Sequence, residues 1–252
     1  MRWEKLWGLA VFFSVAFAQS SPSSLLPSRI LTSLQNEIAV KIKTQKISAP
    51  SYFFILFAYQ DPRNTAQDSH SFASFVRVDA YGNQKWSTIS WLPADFRQKK
   101  QICVFKDINN ATWRRIAGDN CRAVNGRNHS LAETLQWALE APKSLALWGP
   151  FRISKDFYEL GKERVAFLNA GGVGYLPDDF AVRKSFKALN CMHAISDFPP
   201  FFSKKGGLFG TGFGIWGIKG SQHVLKHLMT AEKDFFYDPV KPSQYRRFDP
   251  QP

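Results

Sequence analysis

A cysteine and a histidine lie beside a helix-capping residue in the stretch 189-LNCMH-193. Asn190 is of the type that caps helix N-termini, because its side-chain oxygen accepts a hydrogen bond from a first-turn amide. Cys191 is then the first helical residue, where unpaired amides and the helix dipole stabilise a thiolate. This makes Cys191 a candidate nucleophile, although a lone cysteine is more often a small buried apolar residue.

The cysteine count gives a second reason to consider Cys191. The chain has three cysteines, Cys103, Cys121 and Cys191. In an oxidising compartment cysteines pair, and an odd number leaves one thiol over. Cys103 and Cys121 lie close together in a polar segment rich in turn residues, so we expect a disulfide between them. Cys191 is then expected to remain a thiol.

The first 18 residues have the pattern of a signal peptide. Arg2 and Lys5 precede an apolar run, 6–18, that is too short to span a bilayer. Ala16 and Ala18 are the small residues that a signal peptidase recognises. We therefore expect cleavage near Ala18 and an exported, soluble product, periplasmic or secreted, with no transmembrane segment.

The formal net charge of the chain is +13. A basic surface attracts anionic partners over long distances. Outside the cytoplasm we expect these to be anionic envelope polymers or lipid headgroups rather than nucleic acid, although the charge can also serve solubility alone. The sequence leaves the oligomeric state open.

Two further patterns resemble cofactor or metal motifs without meeting their requirements. The GxGxxG at 212–217 follows a loop and lacks the preceding strand of a dinucleotide-binding unit. His223 and His227 are spaced as zinc ligands on a helix can be, but no glutamate follows His223. We expect a solvated helix face there, and neither a cofactor nor a metal. The aromatic residues of 201–217 can line an apolar groove, or simply pack in the core.

A β-hairpin is predicted around His70. The dense apolar run 51–59 predicts a buried strand, and 61–69 a loop. The segment 70–78 is rich in β-branched and aromatic residues and ends before a Gly82-Asn83 pair suited to a tight turn. The returning strand is 85–92. His70 is thus expected at the mouth of a strand beside a loop, where functional residues concentrate.

The rest of the chain predicts one α+β domain at 31–236. A flexible lead-in at 19–30 precedes it, an insertion interrupts it at 94–129, and a Pro-rich tail follows at 237–252. Helices are expected at 31–42, 130–139 (with a Ser130/Glu133 capping box), 154–168 and 221–233, besides the Cys191 helix, and further strands at 145–153 and 173–176.

These residues resemble a known family. An Asn-Cys-x-His motif that opens a helix, after a histidine at the start of an early strand, is similar to the circularly permuted NlpC-type papain-like superfamily. That group includes lecithin:retinol acyltransferase-like proteins and bacterial envelope hydrolases. The resemblance covers roughly 52–199. It implies an antiparallel sheet packed against the nucleophile helix, with Cys191 as nucleophile and His70 as base.

The family usually has a third polar residue on the strand after the base. The polar residues of 85–92 are Lys85, Ser87, Thr88 and Ser90. If residues 82 and 83 form a two-residue turn, Asp95 lies opposite His70 and is a candidate to orient the imidazole. His193 follows Cys191 by two residues and therefore points away from it on a helix, in a structural or substrate-facing role.

Thiol catalysis needs a nucleophile and a base for its proton. We therefore expect an exported thiol-dependent hydrolase or acyltransferase that acts on an amide or ester bond of a lipid or peptide substrate in the cell envelope, through a Cys191–His70 dyad. Pairing with His70 should lower the pKa of the Cys191 thiol. The alternative is a non-catalytic secreted envelope-binding protein with a degenerate papain-like fold.

Overall fold

The computed structural model describes residues 22–65, 68–98, 123–140, 142–176, 188–197, 215–231 and 233–249. Within these ranges the chain is α+β, with five α-helices and two β-sheets. Cys103, Cys121 and most of the aromatic segment 201–217 lie outside the described residues, so the predicted disulfide and groove do as well.

The α-helices are α1 (Pro22–Thr44), α2 (Leu131–Ala138), α3 (Lys155–Asn169), α4 (Cys191–Ser196) and α5 (Gly217–Ala231). The strands are β1 (Ser51–Gln60), β2 (His70–Val78), β3 (Gln84–Ile89), β4 (Trp91–Pro93), β5 (Val124–Asn128), β6 (Ser144–Ile153), β7 (Gly174–Tyr175), β8 (Ala188–Leu189) and β9 (Arg246–Phe248). The predicted strands at 51–59, 70–78 and 145–153 are confirmed within one residue, as is the capping box of α2.

The main sheet has the strand order β3-β2-β1-β6-β9, and all its pairs are antiparallel. β1 lies in the centre, and nine of its ten residues are buried. Because successive side chains of a strand point to opposite faces, a strand buried on both faces needs a continuous apolar sequence. The run SYFFILFAYQ meets that requirement.

Helices cover both faces of this sheet. On one face Ile30, Leu34 and Ile38 of α1 pack with Phe53 and Phe57 of β1. Their spacing of four residues makes one apolar stripe along the helix. On the other face α3 and α5 pack against the alternate residues of β1, such as Phe54 and Leu56, and α4 packs against β2. The Cys191 helix therefore lies against the sheet that carries His70.

A smaller sheet has the order β4-β5-β7-β8. β7 and β8 are parallel, with Tyr175 paired to Leu189. Leu176 also donates its amide to the carbonyl of Leu189, at 3.1 Å. These bonds hold the residues that lead into α4.

The predicted two-residue turn of the hairpin is wrong. Val78 pairs with Gln84, so the five residues 79–83 connect the strands. The Asp79 carboxylate accepts hydrogen bonds from the amides of Tyr81, at 2.8 Å, and Asn83, at 2.9 Å. An aspartate that satisfies loop amides in this way favours the longer turn. The returning strand is also interrupted at Ser90, between β3 and β4.

Two helices begin earlier than predicted, and the expected tail contains a strand. α1 begins at Pro22, inside the expected lead-in, because its apolar stripe is buried against the sheet. α5 begins at Gly217, and Ser221 lies within the helix, where it donates a hydrogen bond to Ser71 Oγ at 2.6 Å. Residues 246–248 of the expected tail add strand β9 to the main sheet. Among the described residues, no helix has the length and apolarity to cross a membrane.

Candidate active site

Cys191 is the first residue of α4, as predicted, and Asn190 is the N-cap. The Asn190 side-chain oxygen accepts a hydrogen bond from the His193 amide at 2.8 Å. Both Asn190 and Cys191 are buried, and Cys191 forms no disulfide. α4 has only six residues, so few peptide dipoles align behind the thiol and their support for a thiolate is limited.

His70 is the first residue of β2, and 1% of its surface is exposed. Its ring stacks on Phe72, with the planes 8° apart, and lies 5.6 Å from the ring of Tyr59 on β1. Nε2 is hydrogen-bonded to Ser90 Oγ at 3.0 Å. Nδ1 has no hydrogen-bond partner in the described part of the chain. The bond to Ser90 and the stacking on Phe72 therefore fix the orientation of the ring.

Cys191 and His70 line the same cavity, despite their distance in sequence. The cavity is formed by the first residues of β2, the start of α4, Tyr175 of β7, and Trp216 and Gly217 at the start of α5. About 10 Å³ is open to the centre of a water molecule, which is room for about one water or one carbonyl oxygen. Both predicted residues therefore line one small cavity, although the His70 ring packs with Phe72 and Tyr59 of the α1-face cluster and Cys191 belongs to the apolar cluster on the other face of the sheet.

Burial determines the charge of this site. Burial, with a smaller contribution from the neighbouring His129, lowers the pKa of His70 to about 3. Burial, with the charge of a Cys191 thiolate as the next contribution, raises the pKa of Tyr59 and of Tyr175 well above the usual range. At neutral pH His70 is therefore an uncharged ring that takes up a proton only at an energetic cost, and both phenols keep their protons.

Ser90 is held from three sides. Its amide donates to Asn128 Oδ1 at 2.8 Å, and its carbonyl accepts the His129 amide at 2.9 Å. Its hydroxyl oxygen accepts a hydrogen bond from Thr134 Oγ1 of α2 at 2.8 Å. With its backbone and hydroxyl all bonded, Ser90 is a rigid support for the imidazole.

The prediction that Asp95 orients His70 is wrong, since Ser90 occupies that position at Nε2. The prediction assumed the two-residue turn, and the observed five-residue connection shifts the pairing register by three positions. Asp95 lies beyond the end of β4 in a turn and is partly exposed.

His193 belongs to a different group of buried residues. Its Nδ1 is bonded to Oδ2 of Asp197, and both side chains are almost fully buried. Asp197 also interacts electrostatically with Arg164 of α3 and His227 of α5. Burial lowers the pKa of Arg164 to about 10. These contacts give His193 a structural role in fixing α4 against its neighbours.

The sequence prediction missed Ser90, Thr134 and Asn128 as parts of the site. Ser90 was among the polar residues of the returning strand. The only sequence signal for a buried role is that this small hydroxyl lies in the apolar run Ile-Ser-Trp-Leu. Thr134 comes directly after the α2 capping box, and the sequence gives no sign that it differs from any other helical residue. Neither pattern identifies a partner for His70.

Comparison with family models, curated proteins and solved structures found no match for this chain.

Proposed function

We propose that this chain is an exported thiol-dependent hydrolase or acyltransferase with a permuted papain-like arrangement of Cys191 and His70. The observation that carries the proposal is that both residues line one cavity, while Ser90 is hydrogen-bonded to Nε2 of the imidazole. A nucleophile, a base and a residue that orients the base are the three parts that thiol catalysis requires.

In this proposal neutral His70 accepts the Cys191 thiol proton at Nδ1 as Sγ attacks a carbonyl carbon. The tetrahedral intermediate collapses when His70 returns the proton to the leaving amine or alcohol. The resulting thioester passes its acyl group to water in a hydrolase, or to another acceptor in an acyltransferase. Because His70 is uncharged at rest, it acts as a base during attack rather than as half of a standing ion pair.

The substrate class follows from compartment and charge. The signal sequence expected at 1–18 and the net charge of +13 favour an amide or ester in an anionic envelope polymer, peptide or lipid as the substrate.

The purified chain from residue 19 should release product from peptidoglycan peptides or lipid esters, and Cys191→Ala should abolish the release. Cys191→Ser, which keeps a weaker nucleophile, is the matched control. Turnover that survives Cys191→Ala would contradict the proposal.

One observation favours the non-catalytic alternative. Only 8% of the Cys191 surface is exposed, and the cavity beside it holds about one water. In an envelope-binding protein with a degenerate site, Cys191 would be a core residue. Small alkylating reagents separate the two functions, because an activated Cys191 reacts rapidly in the folded protein and a core cysteine reacts only after unfolding.

A further inference from the structure

A second and larger cavity lies on the face of the main sheet that α1 covers. It is enclosed by α1, by Leu139 at the end of α2, by Leu147 of β6 and by strand β9. Its volume is about 400 Å³, which is within the range of small-molecule binding sites. It has no lining residue in common with the cavity beside Cys191. The two cavities are therefore separate sites.

The interior of this second cavity is apolar. Six apolar residues form what we call its floor, and all are buried or partly buried: Leu26, Ile30, Leu34, Leu139, Leu147 and Phe248. Every polar residue that lines the cavity is exposed. A sugar or nucleobase on this floor would bury polar atoms without partners, which is costly. The part of a ligand that enters the cavity must therefore be a hydrocarbon.

The opening of the cavity is basic. The exposed polar residues form what we call its rim: Arg29, Ser33, Arg246, Arg247 and Asp249. Three arginines against one aspartate give the rim a net charge of +2. The charge is still +1 when Glu37, which accepts a hydrogen bond from Arg246, is counted as well. The rim therefore attracts an anionic group and disfavours a cationic one.

The rim arginines can bind an anion without losing strong contacts. Arg246 is paired with Glu37 at 2.6 Å and Arg247 with Asp249 at 2.7 Å, and these four side chains are 38–60% exposed. Exposed ion pairs contribute little to stability, so a ligand can join or displace them. Arg29 forms no salt bridge in the part of the chain that the structure describes. Because a guanidinium can hold a carboxylate with two parallel hydrogen bonds, Arg29 is the rim residue most available to one.

We infer that this cavity binds a fatty acid, with the hydrocarbon tail on the apolar floor and the carboxylate at the rim beside Arg29. The separation of an apolar floor from a basic rim matches a ligand that is itself an apolar chain with one anionic end. A volume near the lower end of the small-molecule range fits one chain rather than a lipid with two. The site requires nothing of Cys191 and is independent of the proposed function.

Isothermal titration calorimetry of the purified protein with decanoate tests the inference. One decanoate should bind per protein molecule. Octanoate should bind about tenfold more weakly, because it buries two fewer methylenes. Decan-1-ol, which has the same chain and no charge, should bind about three- to fivefold more weakly, the difference that an exposed ion pair makes. Acetate should not bind measurably, because it has no tail to bury.

Variants of the rim locate the bound decanoate. Ser33→Trp places a large side chain at the opening and should abolish binding. Arg29→Gln should raise the Kd of decanoate about three- to fivefold and leave that of decan-1-ol unchanged. Arg77→Gln is the matched control and should bind decanoate as the wild type does, because Arg77 is an exposed arginine of β2 that does not line the cavity. Cys191→Ala should also bind it normally, so this site and the proposed function are tested separately.

Equal affinities for decanoate and decan-1-ol in the wild type would overturn the inference, and so would decanoate binding that survives in folded Ser33→Trp. Binding to vesicles of anionic phospholipid without binding of monomeric decanoate would assign the rim to a membrane surface and would also overturn it. If Ser33→Trp does not fold, Ser33→Glu replaces it, since a carboxylate at the rim should weaken the binding of decanoate and not of decan-1-ol. The comparison of ligands needs the wild type alone.

Discussion

The carboxylate of Asp197, at the C-terminal end of the helix that begins at Cys191, is bonded to Nδ1 of His193, and both side chains are almost fully buried. A buried pair contributes little net stability, because desolvation offsets much of the attraction. Removing one partner lowers the stability much more, because the remaining charges then stay buried without compensation. The Asp197 network, which reaches Arg164 and His227, therefore holds α4 in place for Cys191.

Asp197→Ala should destabilise the protein by about 3–5 kcal/mol, because it leaves Arg164 without its buried counter-charge. Urea unfolding at neutral pH measures the loss. Glu159→Ala is the control, since it breaks an exposed pair with Lys162 and should cost about 1 kcal/mol or less. Equal losses in the two variants would contradict the buried network.

The protein should lose stability as the pH falls from about 6.5 toward 3. The pKa of His70 is about 3 in the folded protein and about 6.5 in the unfolded chain. In this window the unfolded chain binds a proton that the folded protein does not, so acid favours unfolding. Burial lowers the pKa values of His129 and His227 in the same direction.

His70→Gln should reduce this pH dependence without removing it, because His129 and His227 remain. The measurement is the difference in unfolding free energy between pH 7 and pH 5, in the variant and in the wild type. A difference that is equal in both proteins would show that His70 is not buried as a neutral ring.

Thiol counting under denaturing, non-reducing conditions should find one thiol, Cys191, with Cys103 and Cys121 joined.

In the folded protein, His70→Ala should slow alkylation of Cys191 near neutral pH, because the thiol loses the base that accepts its proton. His129→Ala is the matched control, since it removes a nearby buried histidine that does not line the cavity. An unchanged alkylation profile in folded His70→Ala would rule out the dyad.

Gly161→Ala should destabilise the fold by about 1–3 kcal/mol, although alanine is the better helix former. A Cβ at Gly161 would lie 2.6 Å from ring atoms of Phe75, which is fully buried on β2. Gly220→Ala is the comparison, because its Cβ would first meet the flexible side chain of Met192, at 2.9 Å. Thermal unfolding should show the larger loss for Gly161→Ala, and the opposite order would contradict the close packing of α3 on β2.

Local patterns were sufficient for most of the elements. The apolar run of β1, the start of β2 at His70, and the serine caps of α2 and α3 follow from residues that lie next to each other in sequence. The longer α1 and the strand β9 were not predicted. Each is stabilised by a distant partner, α1 by the sheet face that includes Phe53 and β9 by β6.

The candidate site likewise combines features that local sequence determines with features that depend on distant partners. The sequence by itself determined the residue types, the cap before Cys191 and the strand that begins at His70, because these depend on local backbone preferences. The shared cavity, the Ser90–His70 bond and the contact of Thr134 with Ser90 were decided by tertiary structure. They depend on the length of the 79–83 connection and on the packing of α2 beside the end of β3, which join residues too far apart for any local pattern to specify.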